Sequence, residues 1–574
     1  MINFTQHLAK YLPILHWSQG YGVQDFRADL IAGTVVLFVT VPQVIAYSFL
    51  AGMPPQAGLY GALFALVLYA FLGSSRALAV GPTAIIAMMT LEVATLHAES
   101  GSDAYITVVV QLSLITGMLL IALRIINFGS VVSFLSHAVV TGFISAAAVL
   151  IIGNQINILL GLPASGDKSL AGLGHHLWVS LGETNSMALV ISIGALTLLV
   201  FCRGKLGWLL KRLGLAESLI EGLVKSAPLY LVISGILVTH IFELESTVSV
   251  VGEIPSNLPD ISLLWISWAT LKTLGPSAFL IALVVFMEST SIGTAMASKS
   301  RGKIDANQEL LALGASNVGS SLVGAFPVAG SFARSAVNFS VGAVSPFASI
   351  VTALLLVFTI LLLAPFFAGL PKAILAAIIV ISAWQLVDVA AVKKIFAFNT
   401  TDAITFSFTF LSVLCFGVEV GVLTGVLISF LLLIRNSSKP NIAVVGRIGE
   451  SEHFRNVDRY EASTSKKVLP IRVDESFYFV NTRFIETYVL NELAKRQEVE
   501  HILLICTATN FIDTSGLEML EELSENLNEA GVTLHLAEVK GPVMDKLKET
   551  SFYTNMHGRV FFTTDIAMRE LAGI

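Results

Sequence analysis

Two hydrophobic patterns share this chain. From Leu30 to residue 437, long apolar runs follow one another with brief polar breaks; beyond Pro440 the runs shorten and polar positions interleave. A helix needs roughly 20 apolar residues to cross a bilayer. The first stretch therefore predicts fourteen membrane segments, beginning near Leu30, Gln56, Pro82, Tyr105, Val131, Ser186, Ala227, Pro276, Glu309, Gly330, Phe347, Lys372, Asp402 and Val418. Those at Pro82 and Gly330 are too short to span alone. In the second stretch, residues 468–473 and 476–480 read as strands, and 501–506 is a continuous apolar run suited to a buried strand. Residues 514–528 carry helical spacing at Leu517, Leu520 and Leu523; residues 532–537 read as a strand and 543–549 as a short helix. Strands alternating with helices over about 120 residues predict an α/β module.

Composition supports the division. Of 574 residues, 55% are hydrophobic and only 13% charged, against ~25% charged in soluble proteins. Nearly half of the charged residues follow Lys439, which marks a membrane-embedded body and a soluble tail. The net charge of −6 gives no reason to expect nucleic acid. Cys202, Cys415 and Cys506 are too far apart to imply a disulfide framework or a metal site. Residues 1–27 mix charges with aromatics and do not predict a cleavable signal.

Loop charges orient the segments. Arg76, Arg124, the group Arg203, Lys205, Lys211 and Arg212, then Lys299, Arg301 and Lys303, and Lys393 with Lys394, all follow even-numbered segments. Glu99, Asp103, Glu243, Glu245, Glu253 and Asp260 occupy the opposite loops. The positive-inside rule then places both termini and the basic loops in the cytoplasm.

The two short segments carry the functional signal. Gly81-Pro82-Thr83 and Gly330-Ser331 each open a helix inside the membrane region. A helix start there leaves backbone N–H groups that lipid cannot satisfy, and its partial positive charge suits an anion. Both short helices are third in a group of seven, so the second group is inverted relative to the first. A 7+7 inverted repeat with paired broken helices is a transporter pattern.

Several polar residues fall near these starts. Glu288, inside the eighth segment, is a costly intramembrane carboxyl and a candidate to carry a proton; a structural carboxyl bonded to nearby Ser or Thr is the alternative. Arg334, one turn into the tenth segment, would attract an anion or act as counter-ion to Glu288. Gln43 offers amide donors to an oxyanion or to a neighbouring helix, with Pro42 beside it and Tyr47 on the same face. Thr83 could present a hydroxyl beside the free N–H groups of the third segment. Asn317 and Asn338 suit interhelical bonding, and His137 and His240 suit packing. No metal-ligand spacing, nucleophile elbow or phosphate loop appears, so neither an enzyme nor a cofactor is expected. In the tail, Asp513-Thr514-Ser515-Gly516 lies at a strand-to-helix turn. A capping role explains these residue types; a phosphorylatable hydroxyl is the alternative.

These motifs resemble the SulP-type anion transporters, the family of sulfate permeases, bacterial bicarbonate transporters and the animal proteins prestin and pendrin. The resemblance rests on Asp29-Leu30-Ile31-Ala32-Gly33, Val41-Pro42-Gln43-Val44-Ile45-Ala46-Tyr47 and Pro54-Pro55-Gln56-Ala57-Gly58-Leu59-Tyr60. It continues in Gly73-Ser74-Ser75-Arg76, Gly81-Pro82-Thr83-Ala84, Asn307-Gln308-Glu309-Leu310 and Ser331-Phe332-Ala333-Arg334-Ser335. The tail looks like the STAS domain that such proteins carry. The resemblance implies a cytoplasmic N-terminal segment (1–27), a transporter domain (28–437), a linker (438–454) and a STAS domain (455–574). It also implies a core domain from segments 1–4 and 8–11, a gate domain from segments 5–7 and 12–14, an elevator-like motion and a homodimer.

Matching positions put Gln43, Tyr47, Thr83, Ala84, Gly330, Ser331, Phe332, Ala333 and Arg334 at the anion site, and any phosphoacceptor at Thr514 before Ser515. Ala333 stands where relatives have a hydroxyl. The expected protein is a secondary active importer of an inorganic anion, sulfate first, in a bilayer such as a bacterial inner membrane. Glu288 favours proton coupling; sodium is the other candidate ion. Sodium-coupled bicarbonate transport, proton-coupled dicarboxylate transport, nucleobase transport and a regulatory membrane protein with weak transport are the alternatives. The STAS domain would be the place for a cytoplasmic regulatory partner.

Overall fold

The computed structural model describes residues 12–129, 136–163, 169–214, 217–262, 264–300 and 302–572. Val131, Arg301 and residues 1–11 of the N-terminal segment lie outside the described residues. The chain forms two compact units, residues 1–427 and 428–574.

The first unit is helical. Among the described residues, nine helices are long and apolar enough to cross a membrane. Shorter apolar helices lie at Ala84–Ala94, Ala227–Ile241 and Thr400–Phe416. Close packing sets the helix contacts. A Cβ on Gly117 would lie 2.7 Å from the Val318 nitrogen, and one on Gly314 would lie 2.7 Å from Ile121. Helices Asp103–Ile125 and Ala306–Leu322 can approach this closely only because both positions lack side chains.

Some charges lie on helices rather than in loops. Arg203 and Lys205 fall within a span that continues from Ser186 to Arg212, through a π-helical turn at Cys202–Leu206. Lys393 and Lys394 ride on Val389–Phe398, a helix capped by Asp388 and set off from Lys372–Trp384. The apolar stems of basic side chains let helices run on past a charge.

Two residues of strand open each short helix. Val80–Gly81 (β1) pairs antiparallel with Ala329–Gly330 (β2), Val80 opposite Gly330 and Gly81 opposite Ala329. The ladder joins the two interrupted segments beside the starts of Ala84–Ala94 and Phe332–Ser340.

The second unit is a six-stranded sheet with helices. Its strands are Ile442–Arg447 (β3), Phe454–Asn456 (β4), Val468–Val473 (β5), His501–Ile505 (β6), Thr533–Ala537 (β7) and Val560–Phe561 (β8), in the order β4-β3-β5-β6-β7-β8. The β5, β6, β7 and β8 neighbours are parallel; β3 is antiparallel to both β4 and β5. The expected linker 438–454 therefore contains sheet: Ile442, Ala443 and Val444 pair with Val473, Arg472 and Ile471. Residues 476–480 do not form the expected strand. Asn481 accepts from the Tyr478 amide at 3.2 Å and donates to the Ser476 carbonyl at 2.9 Å, turning the chain into helix Thr482–Ala494. Only Phe477 of that stretch bridges to Ile512.

Candidate functional site

The site is built on the two helix starts. Thr83 is extended (φ −128°, ψ 157°) and precedes Ala84–Ala94, whose first backward bond runs from the Ala87 amide to the Thr83 carbonyl at 2.9 Å. The amides of Ala84, Ile85 and Ile86 stand ahead of that acceptor. Ser331 precedes Phe332–Ser340, and its Oγ accepts from the Arg334 amide at 3.5 Å. The Phe332 and Ala333 amides stand ahead of the bond from the Ser335 amide to the Ser331 carbonyl. Such leading amides are the groups through which a helix start holds an anion.

Cross-bonds hold the starts together. The Ser331 amide donates to the Ala79 carbonyl at 3.0 Å, and the Ala79 amide to Ser335 Oγ at 2.9 Å. The Gly330 amide donates to Ser289 Oγ at 2.8 Å, which ties in helix Trp268–Lys299 one residue from Glu288. Arg334 is 1% exposed and donates from Nη2 to the Pro82 carbonyl at 2.8 Å. A Cβ on Gly81 would lie 3.3 Å from that guanidinium, so a bare backbone gives it room.

The expected site residues divide into three groups. Tyr47, Thr83, Ala84, Glu288, Ser331, Phe332 and Ala333 line one cavity of about 30 Å³. Gln43 lines an adjoining cavity of about 380 Å³ that shares Phe332 and Ala333 with the first. Gly330 and Arg334 lie behind the lining, where they brace the helix starts. Two lining residues carried no signal in the sequence: Ser382 and Gln385, which border both cavities at the end of helix Lys372–Trp384. Gln43 Nε2 donates to Ser382 Oγ at 3.3 Å. The residues before them form an unbroken apolar run, which reads as plain membrane helix.

Unpartnered polar atoms gather here. Arg334 Nε and Nη1, Thr83 Oγ1, Gln43 Oε1 and Glu288 Oε2 are buried with no hydrogen-bond partner in the protein. Buried polar atoms are nearly always paired, so this concentration of unmet capacity marks a place for a polar guest. Among the described residues no direct ion pair joins Arg334 to Glu288, but each charge acts on the other through space. A carboxyl, a guanidinium, amides and hydroxyls around one space can bind a small anion and hold a proton. Among the described residues no cluster of three or more His, Cys, Asp or Glu gathers to hold a metal.

In the second unit, Asp513 caps helix Thr514–Glu529 by accepting from the Gly516 amide at 2.8 Å, so the cap is the aspartate and not a hydroxyl. Thr514 borders a cavity of about 200 Å³ together with Lys546; Ser515 does not line it.

Comparison with known proteins gives consistent results. The profile described as Sulfate permease family matches residues 26–409, and that of the STAS domain matches residues 459–566. The chain is 30% identical to Sulfate transporter 4.1, chloroplastic, of Arabidopsis thaliana, covering 96% of this chain and 82% of that one. It is 29% identical to High affinity sulfate transporter 2 of Stylosanthes hamata, covering 95% and 84%. Among solved structures, murine Solute Carrier 26 family member A9, an anion transporter in the inward-facing state, superposes with a TM-score of 0.88 at 22% identity, covering 99% of this chain and 95% of that one. The transmembrane domain of the cyanobacterial bicarbonate transporter BicA gives 0.59 at 18% identity, covering 71% and 98%. The fold is thus a helical membrane transporter with a C-terminal STAS domain.

Proposed function

We propose, because this chain belongs to the Sulfate permease family, whose members are transporters and not enzymes, that it carries an inorganic anion, sulfate first, through the space between its two helix starts. The chain is a multi-pass membrane protein. The observation that carries the reading is the set of unpartnered buried donors, Arg334 Nε and Nη1, set behind two helix starts that β1 and β2 clamp together. The names of the plant relatives support sulfate as the first solute to test.

A finer reading is supported by Glu288, by the loop charges and by the resemblance to SulP-type transporters. Glu288, buried and bordering the cavity, is the proton carrier, so that uptake is symport with H⁺; Na⁺ is the ion to test against it. Transport proceeds by an elevator motion of the core against the gate, in a homodimer, with both termini cytoplasmic. The STAS domain is the place for a regulatory protein, with Thr514 as the candidate phosphoacceptor.

Uptake of radiolabelled sulfate, bicarbonate and fumarate into proteoliposomes, each with and without imposed proton or sodium gradients, tests the reading. Sulfate accumulation driven by an inward proton gradient is the expected result. Accumulation of bicarbonate or fumarate instead would reassign the substrate, and accumulation of none would remove the carrier reading.

A further inference from the structure

The 380 Å³ cavity beside the central site carries charge of its own. It shares Phe332, Ala333, Ser382 and Gln385 with the smaller cavity, so the two spaces adjoin along one wall. Away from that wall its lining includes Arg203 and Lys225, and among the described residues no Asp or Glu borders it. The Lys225 ammonium is engaged by Ser340 Oγ. Arg203 is exposed, and its Nη1 donates to the Ile381 carbonyl at 3.4 Å, the long end of hydrogen-bond range. The same carbonyl accepts from Gln385 Nε2 at 3.1 Å. One acceptor is therefore shared by two strong donor groups, and a guanidinium has five N–H donors to offer.

The backbone aims Arg203 there. Helix Ser186–Phe201 is followed by the π turn Cys202–Leu206 before α-helix resumes at Gly207. A π turn inserts one residue, and each residue advances a helix by about 100°, so the widened turn resets the faces on either side of it. Arg203 is the second residue of that turn.

We propose that Arg203 and Gln385 form a second oxyanion subsite, in which sulfate is held on its way between the basic face of the membrane unit and the helix starts. The inference rests on the anion-transport reading above and adds a residue from outside the interrupted segments. An oxyanion in this cavity replaces the Ile381 carbonyl as acceptor for both donors and gains the guanidinium charge, with no carboxylate among the described lining residues. Such a cavity raises the local concentration of anions in a salt-dependent way.

The test uses full-length protein in proteoliposomes. R203Q is expected to raise the KM for sulfate about tenfold, as for the loss of one charge-assisted contact, with maximal rate within twofold of wild type. It should also weaken the rise of KM with ionic strength. R203K, which keeps the charge, is expected to hold KM within about threefold, and Q385A to raise it by a smaller factor than R203Q. Thermal unfolding in detergent monitors folding of each variant; if R203Q is unstable, Q385A and R203K decide the matter by the same KM readout. An R203Q protein with wild-type KM and salt dependence, or a Q385A protein with wild-type KM where R203Q does not fold, overturns the subsite. If wild-type protein takes up no oxyanion at all, it is the transport reading that fails.

Discussion

Val80 and Gly330, 250 residues apart in sequence, face one another in an antiparallel ladder only two residues long. That pairing converts two separate backbone interruptions into one structure. Each strand ends where a helix is about to begin, so pairing them also fixes the spacing of two electropositive helix starts. The Gly330 amide makes a further bond to Ser289 Oγ, which brings the Glu288 turn to the same place.

Gly330 has no space for a side chain. A Cβ there would lie 2.9 Å from Leu78 Cδ1 and 3.1 Å from the Ser289 Cα. Leu78 can rotate away, but the Ser289 backbone cannot. Gly330→Ala is expected to push β2 from the Trp268–Lys299 helix, costing about 1–3 kcal/mol of stability as overpacking does. Sulfate uptake should fall at least about tenfold, since small misplacements in a binding constellation are amplified. Uptake assays beside a thermal unfolding scan check this; wild-type uptake would show that the ladder is not needed to hold the site.

Glu288→Gln keeps the volume of the side chain and removes its ability to lose a proton. Glu288 Oε2 has no partner in the protein, so the amide need not break a bond at that atom. Stimulation of sulfate uptake by an inward proton gradient should disappear, while sulfate–sulfate counterflow across the membrane persists. Initial rates with and without an imposed pH step measure it. A variant that still responds to the gradient would make Glu288 a structural carboxyl.

Most of this architecture was legible because a bilayer imposes length and hydropathy on its helices, and a helix start in lipid demands an explanation. Gly81-Pro82-Thr83 and Gly330-Ser331 declared themselves in that way. Ser382 and Gln385 did not, since they end an apolar run and nothing nearby in sequence marks the fold that brings Gln43 to Ser382. Arg203 read as a loop charge because hydropathy does not register a π turn. In the tail, the run at 501–506 was readable from burial on both faces. The strand at Ile442–Arg447 was missed because its significance depends on a partner, Val468–Val473, that lies beyond a polar stretch. Residues 476–480 have strand-like composition, but Asn481 satisfies their backbone with a turn instead.

The STAS domain should weaken in acid through His535. The Arg559 amide donates to His535 Nδ1 at 3.0 Å, which leaves the ring proton on Nε2, facing His501 Nδ1 at 3.2 Å. Burial, then the His501 and Arg559 charges, push His535 down to about 4 from 6.5. Between those values the unfolded chain binds more protons than the folded one, so stability falls as pH drops from about 6.5 to about 4. Chemical denaturation of residues 440–574 at pH 7, 5.5 and 4.5 should show this trend, and His535→Gln should flatten it. An equal slope in the variant would place the acid sensitivity elsewhere.

Arg334 is the residue on which affinity and architecture can be separated. Its buried guanidinium bonds the Pro82 carbonyl, leaves Nε and Nη1 unpartnered, and has no salt bridge to Glu288 among the described residues. Arg334→Ala breaks no direct ion pair; it loses one hydrogen bond, some packing and the positive charge that Glu288 feels through space. The anion loses a full charge behind both helix starts, and contacts to charged groups are worth about 1.5–3 kcal/mol. The KM for sulfate should rise roughly ten- to hundredfold, with a much smaller change in the unfolding midpoint. Arg334→Lys should recover part of the affinity, since a point charge keeps the attraction and loses the planar fork that reaches Pro82. Isothermal titration with sulfate, alongside thermal unfolding of the same preparations, gives both quantities. If the two variants lose stability in step with affinity, Arg334 is a brace for the helix starts and the anion is held by their amides alone.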